Sequence, residues 1–192
     1  GGGGGREAAE YCVRGLVADY YATPDDWDAS VALDRVLNAI NRWLLAQSAA
    51  HPEREGMAST LSALVLRQRR YVIAHIGDTR VYLLRGGQLT QLTTDHVWDR
   101  PEMRHVLTRA MGLDTRLAID YSDGELELGD RFLLTSDGVW HQLGDTRLRE
   151  LLAAQTDAQQ AAQTLCAAAL AAGRACRRSW SRRSSRSSSG ST

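Results

Sequence analysis

Two aspartates stand where apolar runs stop. Asp78 follows "YVIAHIG" and opens Asp-Thr-Arg; Asp137 follows "RFLLTS" and is followed by Gly138. Asp and Gly tolerate tight backbone angles, so each motif can simply close a strand with a turn. The same residue types also suit a metal ligand that a rigid sheet aims from a strand end. Hard divalent cations such as Mg²⁺ or Mn²⁺ prefer oxygen ligands, keep several waters and need few protein carboxylates. If the two strand ends lie together, two carboxylates converge. That suits metal-assisted phosphoester hydrolysis, in which two ions roughly 3.5–4 Å apart bind and deprotonate the attacking water.

Other chemistry-bearing residues add little to this pair. None of the five histidines, His51, His75, His96, His105 and His141, is paired at ligand spacing. Each reads as a surface or packing residue, so no side chain is assigned as a catalytic acid or base. Cys12, Cys166 and Cys176 show no metal-ligand spacing. Cys12 and Cys166 fall in apolar helical patterns and read as small core residues, which fits a reducing cytoplasm.

The elements that must position the aspartates follow from periodicity. "REAAEYCVRGLVADYY" reads as an amphipathic helix with Ala9, Cys12, Val13, Leu16, Val17 and Tyr20 on one face, after a flexible opening of five glycines. A second helix carries Val36, Leu37, Ile40, Trp43 and Leu44, and His51-Pro52 ends it. From Ala58 the pattern turns to strands: "STLSALVLRQ", "RYVIAHIGD", and a hairpin with Gly86-Gly87 at its turn. A helical patch is expected from Met103 to Ala110, then more strand with Gly129-Asp130 as a tight turn. Helices over Arg147 to Ala154 and Asp157 to Ala172 close the pattern, with Asp157 as N-cap and Gly173 as the stop. Helices, strands, then helices suggest an α+β fold with helices packed on antiparallel sheet.

Bulk properties bound the function. The 192 residues, 43% hydrophobic and 24% charged, suffice for one domain with a real core. No apolar run is long enough to span a membrane, and no secretory signal opens the chain. Every basic residue is Arg, and six of the 23 lie from Arg174 onward among many Ser and no acid. The preceding part carries 17 Arg against 23 Asp plus Glu, a net charge near −6. Nothing there points to nucleic-acid binding. The tail, residues 174–192, reads as a disordered basic linker. An Arg/Ser tail that binds RNA or another acidic partner is a reading on composition alone.

The order of motifs adds a resemblance. "GMASTLSALVL", "AHIGDTRVYLLRGGQLTQLTTDH", "LTRAMGLD", "LGDRFLLTSDGVW" and the closing helix resemble bacterial metal-dependent protein Ser/Thr phosphatases of the protein phosphatase 2C (PPM) family, over 4–173. The opening most resembles the subgroup fused to a protein kinase. The resemblance implies a four-layer α-β-β-α sandwich, with residues 1–173 as one partial domain, incomplete at the first strands and the last strand. It implies removal of phosphate from phosphoserine and phosphothreonine with Mg²⁺ or Mn²⁺. Asp137 matches the family Ser-Asp-Gly aspartate that binds the metal pair. Asp78 matches the Gly-Asp-Ser-Arg aspartate, which in several members helps hold a third, weaker metal. Asp95-His96, Thr60, Gly112 and Gly129-Asp130 match positions of structural role. "VWDRPEMRHV" takes the place of a longer flap beside the substrate cleft, so substrate choice is expected to differ. Implied partners are a phosphorylated protein substrate and a Ser/Thr kinase, separate or fused, with neither nucleic acid nor membrane.

Three departures accompany the resemblance. The family's opening Arg, early Asp and strand lie upstream of Gly1. Gly1 stands where a metal-bridging Asp is expected, and Gly2 where a glycine carbonyl ligates metal. The closing Gly-x-x-Asp-Asn and its Val-rich strand are replaced by "AAGRACRRSWSRRSSRSSSGST"; a shifted reading frame would account for this, which sequencing the coding DNA checks. Too few carboxylates then remain for two ions, and impaired activity is expected. The alternative is a catalytically dead pseudophosphatase that binds a phosphoprotein or a kinase.

Overall fold

The structure, a computed structural model, describes residues 3–187 apart from Glu55, Arg104 and His105, with only the backbone for Gly3, Pro101 and 175–187. The readings placed on Gly1, Gly2, His105 and the Cys176 side chain lie outside the described residues. The chain divides into two compact units. They are Gly1–Val81 with Leu92–Leu128, and Tyr82–Gln91 with Gly129–Thr192.

The first unit packs two helices on a sheet. α1 (Gly3–Tyr20) and α2 (Ala29–Ala50) cover β1 (Leu61–Arg67), β2 (Arg70–Ile76) and β5 (Asp120–Glu125), ordered β1-β2-β5 and antiparallel throughout. The register sets Ser62, His75 and Asp120 in one row across the sheet. α2 buries Leu33, Val36, Leu37, Ile40 and Leu44, the stripe its period demands. Trp43 stacks on Tyr11 of α1 with ring centroids 3.4 Å apart. The buried face of α1 runs through Ala8 and Cys12, whereas Ala9, Val13 and Val17 are exposed, a rotation of the expected stripe. The glycine opening also differs: the helix begins at Gly3. A Cβ on Gly4 would lie 3.3 Å from Met57 Cα, so the missing side chain lets α1 approach closely there.

The second unit repeats the scheme. Its sheet is ordered β4-β3-β6, from β3 (Arg80–Arg85, of which Tyr82 onward belongs here), β4 (Gln88–Gln91) and β6 (Arg131–Thr135). α3 (Asp137–Ala154) and α4 (Ala158–Ser187) pack together on it, around Tyr82, Leu148 and Leu165. Gly86 and Gly87 have φ of 56° and 81°, and Gly129 has φ of 93°, as the two expected turns require.

Four local expectations are corrected. Among the described residues from Met103 to Ala110 none is α-helical, and Pro101–Met103 form a 3₁₀ turn. The backbone instead bonds across the loop, Trp98 N–H to Val106 O at 3.2 Å and Thr108 N–H to His96 O at 2.8 Å. α3 begins at Asp137, ten residues before the expected Arg147, because Val139, Trp140 and Leu143 pack into the core; Gly144 (φ 69°) kinks it. α4 does not stop at Gly173 but runs helically to Ser187. The Ala-rich run carries no Pro to stop it. Cys166 is exposed, and Leu165 faces the core instead.

Candidate metal centre and its supporting network

Asp137 and Asp78 fall in different units. Asp137 is the first residue of α3, directly after the Ser136 cap, and is exposed. Its Oδ1 accepts the Gly138 amide at 2.8 Å. The Ser136 carbonyl accepts the Val139 and Trp140 amides at 3.0 and 3.3 Å, closing the first helical turn. A carboxylate in that turn is favoured by the helix dipole.

Asp78 is half-buried and follows Gly77, which has φ of 107°. A Cβ on Gly77 would lie 2.3 Å from Thr60 Cγ2, so only glycine fits. Residues 92–96 close against this turn along their length. Leu92 N–H reaches Val81 O at 2.8 Å, and Thr93 Oγ1 accepts the Val81 amide at 3.1 Å. Arg80 grips Asp95 through two nitrogens, Nε to Oδ1 at 2.9 Å and Nη2 to Oδ2 at 2.7 Å. His96 donates its amide to Gly77 O at 2.8 Å, while its Nδ1 accepts the Gly77 amide at 3.1 Å.

Two of the five histidines meet here. The rings of His75 and His96, both buried, lie 4.8 Å apart. A carbonyl only accepts, so His75 Nε2 donates to Thr94 O at 3.0 Å. Its Nδ1 then accepts from Ser62 Oγ at 2.9 Å, and Ser62 accepts in turn from Thr79 Oγ1 at 2.8 Å. His96 Nε2 donates to Asp120 Oδ2 at 2.9 Å, and Arg109 Nη1 holds Asp120 Oδ1 at 2.8 Å. Burial lowers the pKa of His75, and nearby His96 lowers it further. Burial works to raise that of Asp120, but its contacts with His96 and Arg109 keep it below the usual carboxylate range. The sequence contains one signal for this network: His75 interrupts an otherwise apolar strand, and a buried imidazole must find partners. Their meeting has no sequence spacing, because the residues come from β1, β2, β5 and two loops. Cys12 stays in the core as expected, its thiol pushed up to about 11 by burial.

Each of the two carboxylates, Asp137 and Asp78, is by its chemistry alone the kind of oxygen donor that a hard divalent cation takes. Among the described residues, no group of three or more His, Cys, Asp or Glu is arranged to hold a metal ion. The further ligands implied by resemblance, at Gly1 and Gly2, lie outside those residues. None of the described helices is long and apolar enough to cross a membrane.

Comparison with known proteins converges. A family model described as Protein phosphatase 2C matches residues 2–175. Over 179 residues the chain is 32% identical to the serine/threonine protein phosphatase PstP of Mycobacterium tuberculosis, covering 83% of this chain and 34% of PstP. Over 152 residues it is 28% identical to the serine/threonine phosphatase stp of Listeria monocytogenes, covering 71% of this chain and 60% of that protein. It thus spans less than two thirds of either relative. The crystal structure of Mycobacterium tuberculosis PstP/Ppp superposes with a TM-score of 0.81 at 30% identity, covering 90% of this chain and 80% of that one. The PstP catalytic domain solved with two manganese ions gives a TM-score of 0.80 at 32% identity, covering 90% and 79%.

Proposed function

The chain belongs to the protein phosphatase 2C family, and we propose that it hydrolyses phosphoserine and phosphothreonine in protein substrates with Mg²⁺ or Mn²⁺. The family match over residues 2–175 carries the reading. When bound, the ions would supply a Lewis acid for the phosphoryl oxygens and an activated water as nucleophile; turnover is impaired, because Gly1 stands where the metal-bridging Asp is expected. Asp137 contributes an exposed carboxylate, held in direction by the Gly138 amide. Asp78 contributes a second carboxylate at the end of β2, toward a weaker ion. No side chain is assigned as acid or base. The segment 97–106 takes the place of the family's flap by resemblance, and substrate choice is expected to differ there. Substrates are phosphoproteins made by a Ser/Thr kinase, separate or fused, in the cytoplasm; no nucleic acid or membrane enters the reading. Residues 1–173 act as the phosphatase domain, and 174–192 as a basic appendage.

Hydrolysis of a generic phosphate ester and of a phosphothreonine peptide, titrated with Mn²⁺, tests this. Turnover should depend on Mn²⁺ and fall by about 100-fold or more in Asp137→Ala, with a smaller loss in Asp78→Ala. A folded chain with no turnover at saturating Mn²⁺ overturns it. Retained binding of the phosphopeptide would then identify a pseudophosphatase that recognises phosphoproteins without cleaving them.

A further inference from the structure

We propose that His96 is a positioning residue for Asp78: it clamps both backbone polar groups of Gly77 and so fixes where the Asp78 carboxylate leaves the sheet. The proposal deepens the reading of Asp78 as a metal ligand and rests on it. Gly77 has no side chain to anchor it, and its φ of 107° leaves the turn to be held by its backbone. His96 supplies both contacts, accepting the Gly77 amide on Nδ1 at 3.1 Å and donating its own amide to Gly77 O at 2.8 Å.

The imidazole must be the right tautomer to do this. Nδ1 accepts only when the ring proton sits on Nε2, and Asp120 Oδ2, 2.9 Å from Nε2, draws the proton there. Arg109 fixes Asp120 from its other oxygen at 2.8 Å. The Thr108 amide, bonded to His96 O at 2.8 Å, holds the backbone behind the ring. His96 is 6% exposed, so water does not replace a lost bond. Direction thus passes from Arg109 and Asp120, through His96, to Gly77 and Asp78.

Two conservative variants separate the ends of the ring. In His96→Asn, the amide oxygen takes the place of Nδ1 and can accept from Gly77. In His96→Gln, the amide reaches the place of Nε2 and serves Asp120 instead. The readouts are Gly77 amide exchange by NMR, Mn²⁺-induced line broadening around Asp78, and turnover. His96→Asn should keep Gly77 protected and retain the broadening. His96→Gln and His96→Ala should speed Gly77 exchange by about tenfold or more and lose the broadening. Equal losses in Asn and Gln, tracking only the melting temperature, overturn the proposal. If the unaltered chain shows no broadening, the ligand reading of Asp78 fails, and the order of Gly77 exchange alone decides the clamp. Should the His96 variants not fold, half-exposed Asp120→Ala takes their place. Faster Gly77 exchange at unchanged melting temperature supports the proposal, and unchanged exchange overturns it.

Discussion

The turns at Gly77-Asp78 and at Ser136-Asp137-Gly138 share a sequence grammar: an apolar strand, a small residue, an aspartate. Their physical support differs. Asp137 is held locally, by the amide of its own neighbour and the start of α3. The Asp78 turn is held from a distance, by residues 60 and 92–96 and, behind them, Arg109 and Asp120. A strand followed by a helix places a carboxylate cheaply, because the helix supplies amides and a dipole. A strand that turns back into another strand has no such supply, so the rest of the unit must hold it. The Asp78 turn should therefore be sensitive to distant mutations, and the Asp137 turn nearly indifferent to them.

Gly77→Ala gives the sharpest contrast. The new Cβ would lie 2.3 Å from Thr60 Cγ2 and 3.0 Å from the Thr60 backbone, at a φ of 107°. Strain and overpacking together should cost about 3 kcal/mol or more, read as a lower urea midpoint. A loss below about 1 kcal/mol would show that the turn is looser than its geometry. Arg80→Leu should come next, at about 2–3 kcal/mol. It removes the Arg80 bonds to the Asp95 carboxylate, which is 16% exposed. The Leu92, Asp95 and His96 amides should exchange faster while those of α4 do not change. Uniform acceleration across both units would mean the strand end is not a separate support.

The third test uses pH. His75 has its pKa below 6.5, first through burial and then through His96; the Thr94 carbonyl, Asp120 and Asp95 pull the other way. The unfolded chain therefore takes up a proton near pH ~6.5 while the folded chain still resists it. Stability from this site is complete above that pH and is lost as pH falls toward the folded pKa. Thermal melts from pH 7 to 5 should show the first unit weakening, and His75→Gln should flatten the trend, since its amide still donates to Thr94 O. An unchanged slope in His75→Gln would place the pH response elsewhere.

What was legible in the sequence follows the same division between local and distant support. Gly86-Gly87 and Gly129 were readable because a turn with φ above zero needs its residue types on the spot. Asp157 was readable as an N-cap, and its Oδ1 accepts the Gln160 amide at 2.7 Å. Asp137 and Asp78 were readable as strand-end carboxylates for the same reason. The His75–His96 pair was not, since its partners are scattered along the chain and meet only after β2 and β5 pair. The expected helix from Met103 to Ala110 does not form for a related reason: Val106 and Thr108 bond across the loop to Trp98 and His96. On α1 the stripe was misplaced because a buried Ala8 and Gly4 allow close approach, and hydropathy gives small residues little weight.

Gly138→Ala is the smallest effect and the closest control for Gly77→Ala. Gly138 sits in the first turn of α3, and its new Cβ would meet nothing nearer than Ser136 Oγ at 3.8 Å. Ala favours helix over Gly by up to about 1 kcal/mol in a helix interior, and less in a first turn whose amides are not yet in the helical ladder. The backbone amide that bonds Asp137 is kept. Stability should therefore stay within about 0.5 kcal/mol of the unaltered chain, or rise slightly. Mn²⁺-dependent turnover should persist, because the Asp137 carboxylate keeps its bond from the Gly138 amide. A loss as large as that of Gly77→Ala would mean that Asp137, too, is held by more than its own helix.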